Sequence, residues 1–217
     1  LTLYPHKEDE FWLWVSSWAL FIGKPSDLGY DDTGYALPPL DVRTHIVRGR
    51  YGEDTDRNGQ FKLMHDAAVS LAEASREKRE SIDARVAVAK EIVDSDPEAH
   101  FLLWHDLEAE RHAICKTLPD TVDIYGSMDY AEREKRVIDF SEGRCRLFAT
   151  KKSLSGSGCN FQRHCHRAIF IGIDYEFNDF IQAVHRIYRF LQTEQVVIDI
   201  IYTAAEDPIY RVLMEKW

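Results

Sequence analysis

The chain has 217 residues, 45% of them hydrophobic, and a formal net charge of −10 from 27 Lys and Arg against 37 Asp and Glu. That length and apolar content can bury a full α/β core, which excludes disorder as the main state. The acidic balance excludes a protein that coats nucleic acid nonspecifically, because phosphate binding is driven by counterion release onto Lys and Arg; any such contact must be local.

No apolar stretch approaches the roughly 20 residues needed to span a bilayer. The start, Leu1-Thr2-Leu3-Tyr4-Pro5, carries neither a basic leader nor an initiator methionine, so we expect a cytoplasmic protein whose first residue here lies inside a longer chain. Four cysteines, Cys115, Cys145, Cys159 and Cys165, are too scattered for a disulfide framework and fit a reducing compartment.

Residues 1–60 hold most of the Gly and Pro and an early cluster of Trp12, Trp14 and Trp18. Their mixed period reads as a lid or arm rather than a sheet. Trp spacing of two then four, with Phe11, Leu13 and Phe21 beside it, fits packing at least as well as base stacking. Ile82, Val86, Ala89 and Ile92/Val93 form a helical stripe, which Asp96-Pro97 ends. From Phe101 onward, apolar runs alternate with amphipathic stretches, the rhythm of a parallel sheet covered by helices. Phe101–Trp104 is the first predicted strand. Asp106 caps a helix through about Leu118, and Val122–Tyr125 is the next strand. Asp129 with Glu132 opens a helix whose Val137, Ile138 and Phe140 face inward. Arg146–Ala149 is the third strand, Thr150 to Asn160 a polar loop, and Ala168–Ile173 the fourth strand. A helix from about Asp179 carries Phe180, Val184, Ile187 and Phe190 near one face. Val196–Ile201 closes the sheet, and Asp207-Pro208 opens the last helix.

The string Gln182-Ala183-Val184-His185-Arg186-Ile187-Tyr188-Arg189 places Gln182, Arg186 and Arg189 on one helical stripe. Two guanidiniums on one stripe suit the charge that spreads over a phosphoryl group leaving ATP, or else form a plain solvated basic face. Thr150-Lys151-Lys152-Ser153-Leu154-Ser155-Gly156-Ser157-Gly158-Cys159-Asn160-Phe161 combines lysines with closely spaced glycines, as a loop that approaches phosphates would, or as a simple connection would.

Taken in order, these strings resemble the second lobe of superfamily 2 helicases, in particular the Swi/Snf-like branch. Phe101 to Asp106 stands at that family's motif IV. Gly126, followed by Arg133, Arg136 and Phe140, matches its "Gly, then Arg, then Phe" helix, Thr150 to Asn160 its motif V, and Gln182 to Arg189 its motif VI. The likeness is nearest to helicase-like proteins of phages and mobile elements that are encoded beside DNA methyltransferases; Lys151 to Gln162, Pro25 to Tyr30 and Leu37 to Leu40 carry it. The resemblance implies an α/β RecA-like parallel sheet with helices on both faces over residues 61–217, and the end of lobe one plus a connecting arm over residues 1–60.

It further implies an ATP-dependent DNA helicase or translocase. Arg189, Arg186 and Gln182 would be the catalytic residues. Ser155, Gly156, Ser157, Gly158 and Asn160 would line the nucleotide cleft, and Thr150, Lys151, Lys152, Gly126 and Ser127 would meet DNA. ATP and Mg2+ would be held mainly by lobe one of the same polypeptide. Duplex DNA, gripped by its backbone without regard to sequence, is the expected partner, with a DNA methyltransferase as a further candidate.

Three positions depart from the pattern. Arg189-Phe190-Leu191-Gln192 stands where the family ends with Arg-x-Gly-Gln, so a turn that needs positive φ would make Leu191 cost stability or shift the finger. Lys152 replaces a proline, and Glu176-Phe177-Asn178 replaces Trp-Asn-Pro. No G-x-x-x-x-G-K-S/T occurs, and Asp9-Glu10 follows no apolar strand, so this chain alone should not hydrolyse ATP. The alternative reading is a helicase-like clamp that has lost its ATPase. Cys159, His164, Cys165 and His166 fit no common zinc spacing. His105-Asp106 cannot act as a facing pair, and His185 is read as a packing or cleft-edge residue.

Overall fold

The computed structural model describes residues 4–20, 22–47, 76–155 and 159–217. The chain forms two compact units, Leu1–Ala36 and Leu37–Trp217. In the first, the helix Glu8–Ser16 opens with Glu8, Asp9 and Glu10 in its first turn, where acidic groups complement the helix dipole. The Pro25–Leu28 turn is built by a carboxylate: Asp27 accepts from the Gly23 and Lys24 amides at 2.7 and 3.0 Å, and Gly29 leaves the turn at φ 80°. Trp12, Trp14 and Trp18 are 48%, 59% and 64% exposed, so the aromatics do not form a core in this structure.

The second unit is built on a six-stranded sheet in the order β1-β6-β5-β2-β4-β3. The strands are Leu40–Val47, His100–Trp104, Thr121–Asp123, Leu147–Thr150, Cys165–Phe170 and Val196–Thr203, numbered β1 to β6 in chain order. Every pairing is parallel. Successive side chains point to opposite faces, and both faces are covered, which is why β2, β4 and β6 are mostly apolar, with Asp199 the buried exception in the middle of β6. Leu102, Trp104, Phe148, Phe170, Ile198 and Ile200 pack on one side with Phe140, Phe180, Val184, Ile209 and Leu213 from three helices. Phe101, Leu103, Ala149, Ile169 and Ile201 pack on the other with Val86, Ala89, Val93 and Ile114.

Those helices are Ile82–Asp94, Glu108–Thr117, Tyr130–Ser141, Phe177–Val184 and Asp207–Lys216. The expected stripe of the first is met, since Ile82, Val86, Ala89 and Val93 are buried. Asp129 caps Tyr130–Ser141 by accepting from the Ala131 and Glu132 amides, as expected.

Four expectations need correction. Leu40–Val47, read as part of an arm, is an edge strand paired with β6; its exposed Arg43, Thr44 and Ile46 hid the pattern of a buried strand. Asp106 does not cap its helix: Glu110 reaches back to the Asp106 and Leu107 amides at 2.8 and 2.9 Å, and Leu107 is the capping position. Ile138 is 42% exposed, and Phe190 lies beyond the end of its helix at 40% exposure.

At the carboxyl edge of the sheet, the fully buried Arg85 donates to Ser81 Oγ at 2.9 Å, to the Ile171 carbonyl at 3.0 Å and to the Lys78 carbonyl. Its Nη1 lies 3.6 Å from Glu110 and 3.8 Å from Glu206, both buried. Glu206 itself accepts from the Thr203 amide at 2.8 Å, closing the turn that follows β6. Burial pushes the Glu110 carboxyl up, against the pull of Lys78, two backbone amides and Arg85. Breaking such a cluster on one side strands buried carboxylates. Arg85→Met is therefore expected to lower unfolding stability by about 3–5 kcal/mol, read as a fall in the urea midpoint, with part of the loss recovered when Glu110→Gln and Glu206→Gln are added.

Candidate functional site

In open α/β sheets, ligands meet the carboxyl ends of the strands, and here β2, β4 and β5 end side by side. Beyond β2 lies Asp106, beyond β4 Lys151 and Lys152, beyond β5 Asp174. An ion chain links them. Lys78 donates to Asp106 at 2.6 Å and to the Ile173 carbonyl at 2.9 Å, while Lys152 sits 3.2 Å from Asp106 and 2.6 Å from Asp174. Burial alone would raise the Asp106 carboxyl and lower the Lys152 ammonium; the opposite charges around each outweigh it, so both stay ionised.

Lys152, expected to meet DNA, is 6% exposed and held between these two carboxylates, which leaves it no surface for a phosphate. It begins a short helix, Lys152–Ser155, where a plain loop was expected. Thr150 and Ser155, both buried, share a hydroxyl–hydroxyl bond of 2.8 Å that closes this turn. Lys151 points elsewhere and pairs with Glu108 at 2.8 Å; that contact, with Arg111, holds the Glu108 carboxyl down to about 2. Gly156, Ser157 and Gly158 lie outside the described residues.

The second half of the site is a zipper between residues 159–162 and 186–190. The helix Phe177–Val184 stops short of Arg186, so Gln182 is on an exposed helical face while Arg186 and Arg189 sit in the turns that follow, not on a continuous stripe. The Phe161 amide donates to the Arg186 carbonyl at 3.0 Å, Arg186 Nη1 to the Cys159 carbonyl at 3.3 Å, and Gln162 Nε2 to the Phe190 carbonyl at 3.3 Å. Arg189 Nη1 donates to the Asn160 side chain. Burial lowers the Arg186 pKa, and the like charge of Arg189 adds to that. Two guanidiniums that repel one another at a half-exposed edge concentrate positive charge there.

The turn that ends this zipper adopts positive φ at Leu191, 68°, the condition under which a side chain there costs stability. Gln192, buried, fixes it: its Nε2 donates to the Cys165 and Ile187 carbonyls at 3.1 and 3.0 Å, and its Oε1 accepts from the Thr193 and Glu194 amides at 3.0 Å each. Gln192 was visible in the sequence only as the last letter of a motif; its role as the anchor of the turn was not.

The Gly126–Ser127 loop is exposed and is shaped from behind by arginines. Arg133 Nη2 donates to the Gly126 carbonyl at 2.9 Å, and Arg136 Nη1 to the Asp123 carbonyl at 2.8 Å. This accounts for the Gly-then-Arg spacing, since the arginines gather the carbonyls beyond β3. His164 and His166 line a pocket with His100, Glu98 and Glu194 at the amino ends of β2 and β5, away from the strand ends that carry the lysines. Cys165 is buried, its Sγ donating to the His100 and Arg167 carbonyls at 3.3 and 3.2 Å.

No protein-family model matches the chain, and no curated protein matches it. Solved structures do. The C-terminal part of the Fun30 ATPase domain superposes with a TM-score of 0.52 at 19% identity, over 59% of this chain and 45% of that one. A Dbp5 variant from S. cerevisiae bound to Gle1 and IP6 superposes with a TM-score of 0.58 at 12% identity, over 82% of this chain and 39% of that one. The chain therefore spans less than half of each. At these identities the likeness establishes the fold: a RecA-like α/β lobe with an all-parallel sheet, as seen in helicase and ATPase domains.

His105, between Trp104 and Asp106, is 1% exposed, and among the described residues neither ring nitrogen has a hydrogen-bond partner. Burial lowers its pKa to about 4, with Lys151 adding to the shift and Glu108 and Asp106 opposing it. The folded state thus holds a neutral ring that the unfolded chain protonates near pH 6.5. The stability this confers is complete above that pH and is lost as pH falls from about 6.5 towards 4. Urea titrations at pH 7 and pH 5 should show a smaller drop for His105→Leu than for the wild type; equal drops would assign the acid sensitivity to other groups.

Proposed function

We propose that this chain is the second motor lobe of an ATP-dependent DNA helicase or translocase. It would supply Arg189 and Arg186 to the γ-phosphate of ATP held, with Mg2+, by a first lobe of the same longer polypeptide. The observation that carries the reading is the zipper that brings the loop after β4 against the segment carrying both arginines. A guanidinium fixed by its own backbone neighbours meets the charge developing on a departing phosphoryl group without reorganising, and that is what an arginine finger contributes. Arg189 is the finger proper. Its one described partner is the neutral Asn160 side chain, which an incoming phosphate oxygen can replace. Gln182, exposed on the preceding helix, would help position the pair.

DNA contact falls to fewer groups than the sequence implied. Lys151, whose partner among the described residues is the half-exposed Glu108, can exchange that carboxylate for a backbone phosphate. The exposed Gly126–Ser127 loop offers backbone and hydroxyl groups. Thr150 and Ser155 act beneath the surface, shaping the turn. The link from Lys152 through Asp106 to Lys78 would couple the loop after β4 to the helical segment that precedes Ile82–Asp94. A DNA methyltransferase partner is proposed on sequence likeness alone.

The strained turn at Leu191 favours a second reading, a clamp that keeps the fold and has lost turnover. DNA-stimulated ATP hydrolysis by the full-length protein separates the two. The motor reading expects activity in the wild type, a fall of about a thousandfold or more in Arg189→Ala, and none from this chain alone. A folded wild type without activity supports the clamp.

A further inference from the structure

Among the described residues, positive φ occurs at Gly29, Gly34, Gly143 and Leu191. Leu191 therefore holds a conformation that the other three positions reserve for glycine. A side chain in the left-handed region crowds its own carbonyl, and burial among the described residues does not repay the leucine, because Leu191 is 62% exposed. The turn does not choose its shape for the side chain's sake. Gln192 sets it through the four bonds of its amide and through its own N–H, which donates to the Arg189 carbonyl at 3.0 Å. The result is a rigid turn that projects an aliphatic side chain outward two residues after Arg189.

We propose that Leu191 is a contact residue of the closed motor: when Arg189 engages the nucleotide, the Leu191 side chain packs on an apolar spot of the lobe that holds that nucleotide. The inference rests on the finger assignment above. The geometry supplies the occupant, because a group locked two residues from Arg189 on the same turn must approach whatever surface surrounds the phosphate. An aliphatic side chain gains nothing from the phosphate itself and gains by leaving water. Local strain at an exposed position is thus offset in the closed state rather than in the open lobe.

The test uses the full-length protein as wild type, Leu191→Asn, Leu191→Gly and Leu191→Met, with Arg189→Ala as reference. Asn and Gly both accept the left-handed conformation, so these variants fold at least as well as the wild type and their thermal midpoints rise. The proposal expects their DNA-stimulated kcat nevertheless to fall roughly tenfold or more, the scale set by loss of one buried leucine contact, while Leu191→Met keeps most of the activity. Stabilised variants that turn over at or above the wild-type rate would overturn it and leave Leu191 a tolerated strain. Weaker DNA binding without nucleotide, at unchanged kcat, would overturn it in favour of a nucleic-acid contact. Arg189→Ala keeps the two layers apart: if it abolishes turnover and Leu191→Asn does not, only the Leu191 contact falls; if Arg189→Ala is itself active, the finger assignment falls and the contact with it.

Discussion

The guanidinium of Arg85 stands at the junction on which the rest of the second unit depends. It lies without solvent contact between the helix that leads into the sheet, the end of β5, and two carboxylates, one beginning the helix after β2 and one closing the turn after β6. A charge in that position is stable only when every direction offers an acceptor. The approach is close enough that a Cβ on Gly172 would stand 2.7 Å from Arg85 Nη1 and 2.8 Å from Lys78 Cε, so glycine is required there for contact rather than for φ. Lys78, in the helical segment just before that helix, reaches Asp106, which Lys152 from the loop after β4 also meets. The positions of the strand ends, and of the loops that leave them, are set by this buried ionic network.

A second set of buried charges crosses the sheet away from that edge. Arg167 bridges Asp96 at 2.7 Å and Asp199 at 3.4 Å, Asp199 meets His45 at 2.8 Å, and the Arg167 guanidinium lies 4.9 Å over the Phe101 ring. His45 belongs to β1, so this chain of contacts ties the edge strand to the centre of the sheet. It also explains why residues 40–47 were unreadable in advance. A strand written Leu-Asp-Val-Arg-Thr-His-Ile-Val alternates like a surface segment, and its side-chain anchor is a hydrogen bond with a residue 154 positions away.

Much of the core was legible because strands buried on both faces are rich in apolar residues, as Phe101–Trp104 is throughout and Val196–Ile201 is apart from the buried Asp199. The Asp129 cap and the Asp207-Pro208 helix start were legible for local reasons. The candidate site was legible in composition but not in shape. Gln182, Arg186 and Arg189 have helical spacing, yet the helix ends at Val184, and beyond it the Arg186 carbonyl accepts from the Phe161 amide. Lys152 looked like a phosphate ligand because charge in a glycine-rich loop is usually solvated; its carboxylate partners, Asp106 and Asp174, come from two other strand ends. Arg85 sat inside an apolar stripe, a signal of burial, but nothing in the sequence named Glu110 and Glu206 as its partners.

In the proposed motor, Arg189 acts on charge that develops during phosphoryl transfer, not on nucleotide binding as such. Comparing the affinities of the full-length protein for ATP and for ADP with aluminium fluoride, a mimic of the transferring phosphoryl group, in wild type and Arg189→Ala tests this role. A finger at Arg189 should cost about a hundredfold or more for the mimic when it is removed and no more than about threefold for ATP. Equal affinities of both forms of the protein for the mimic would contradict it.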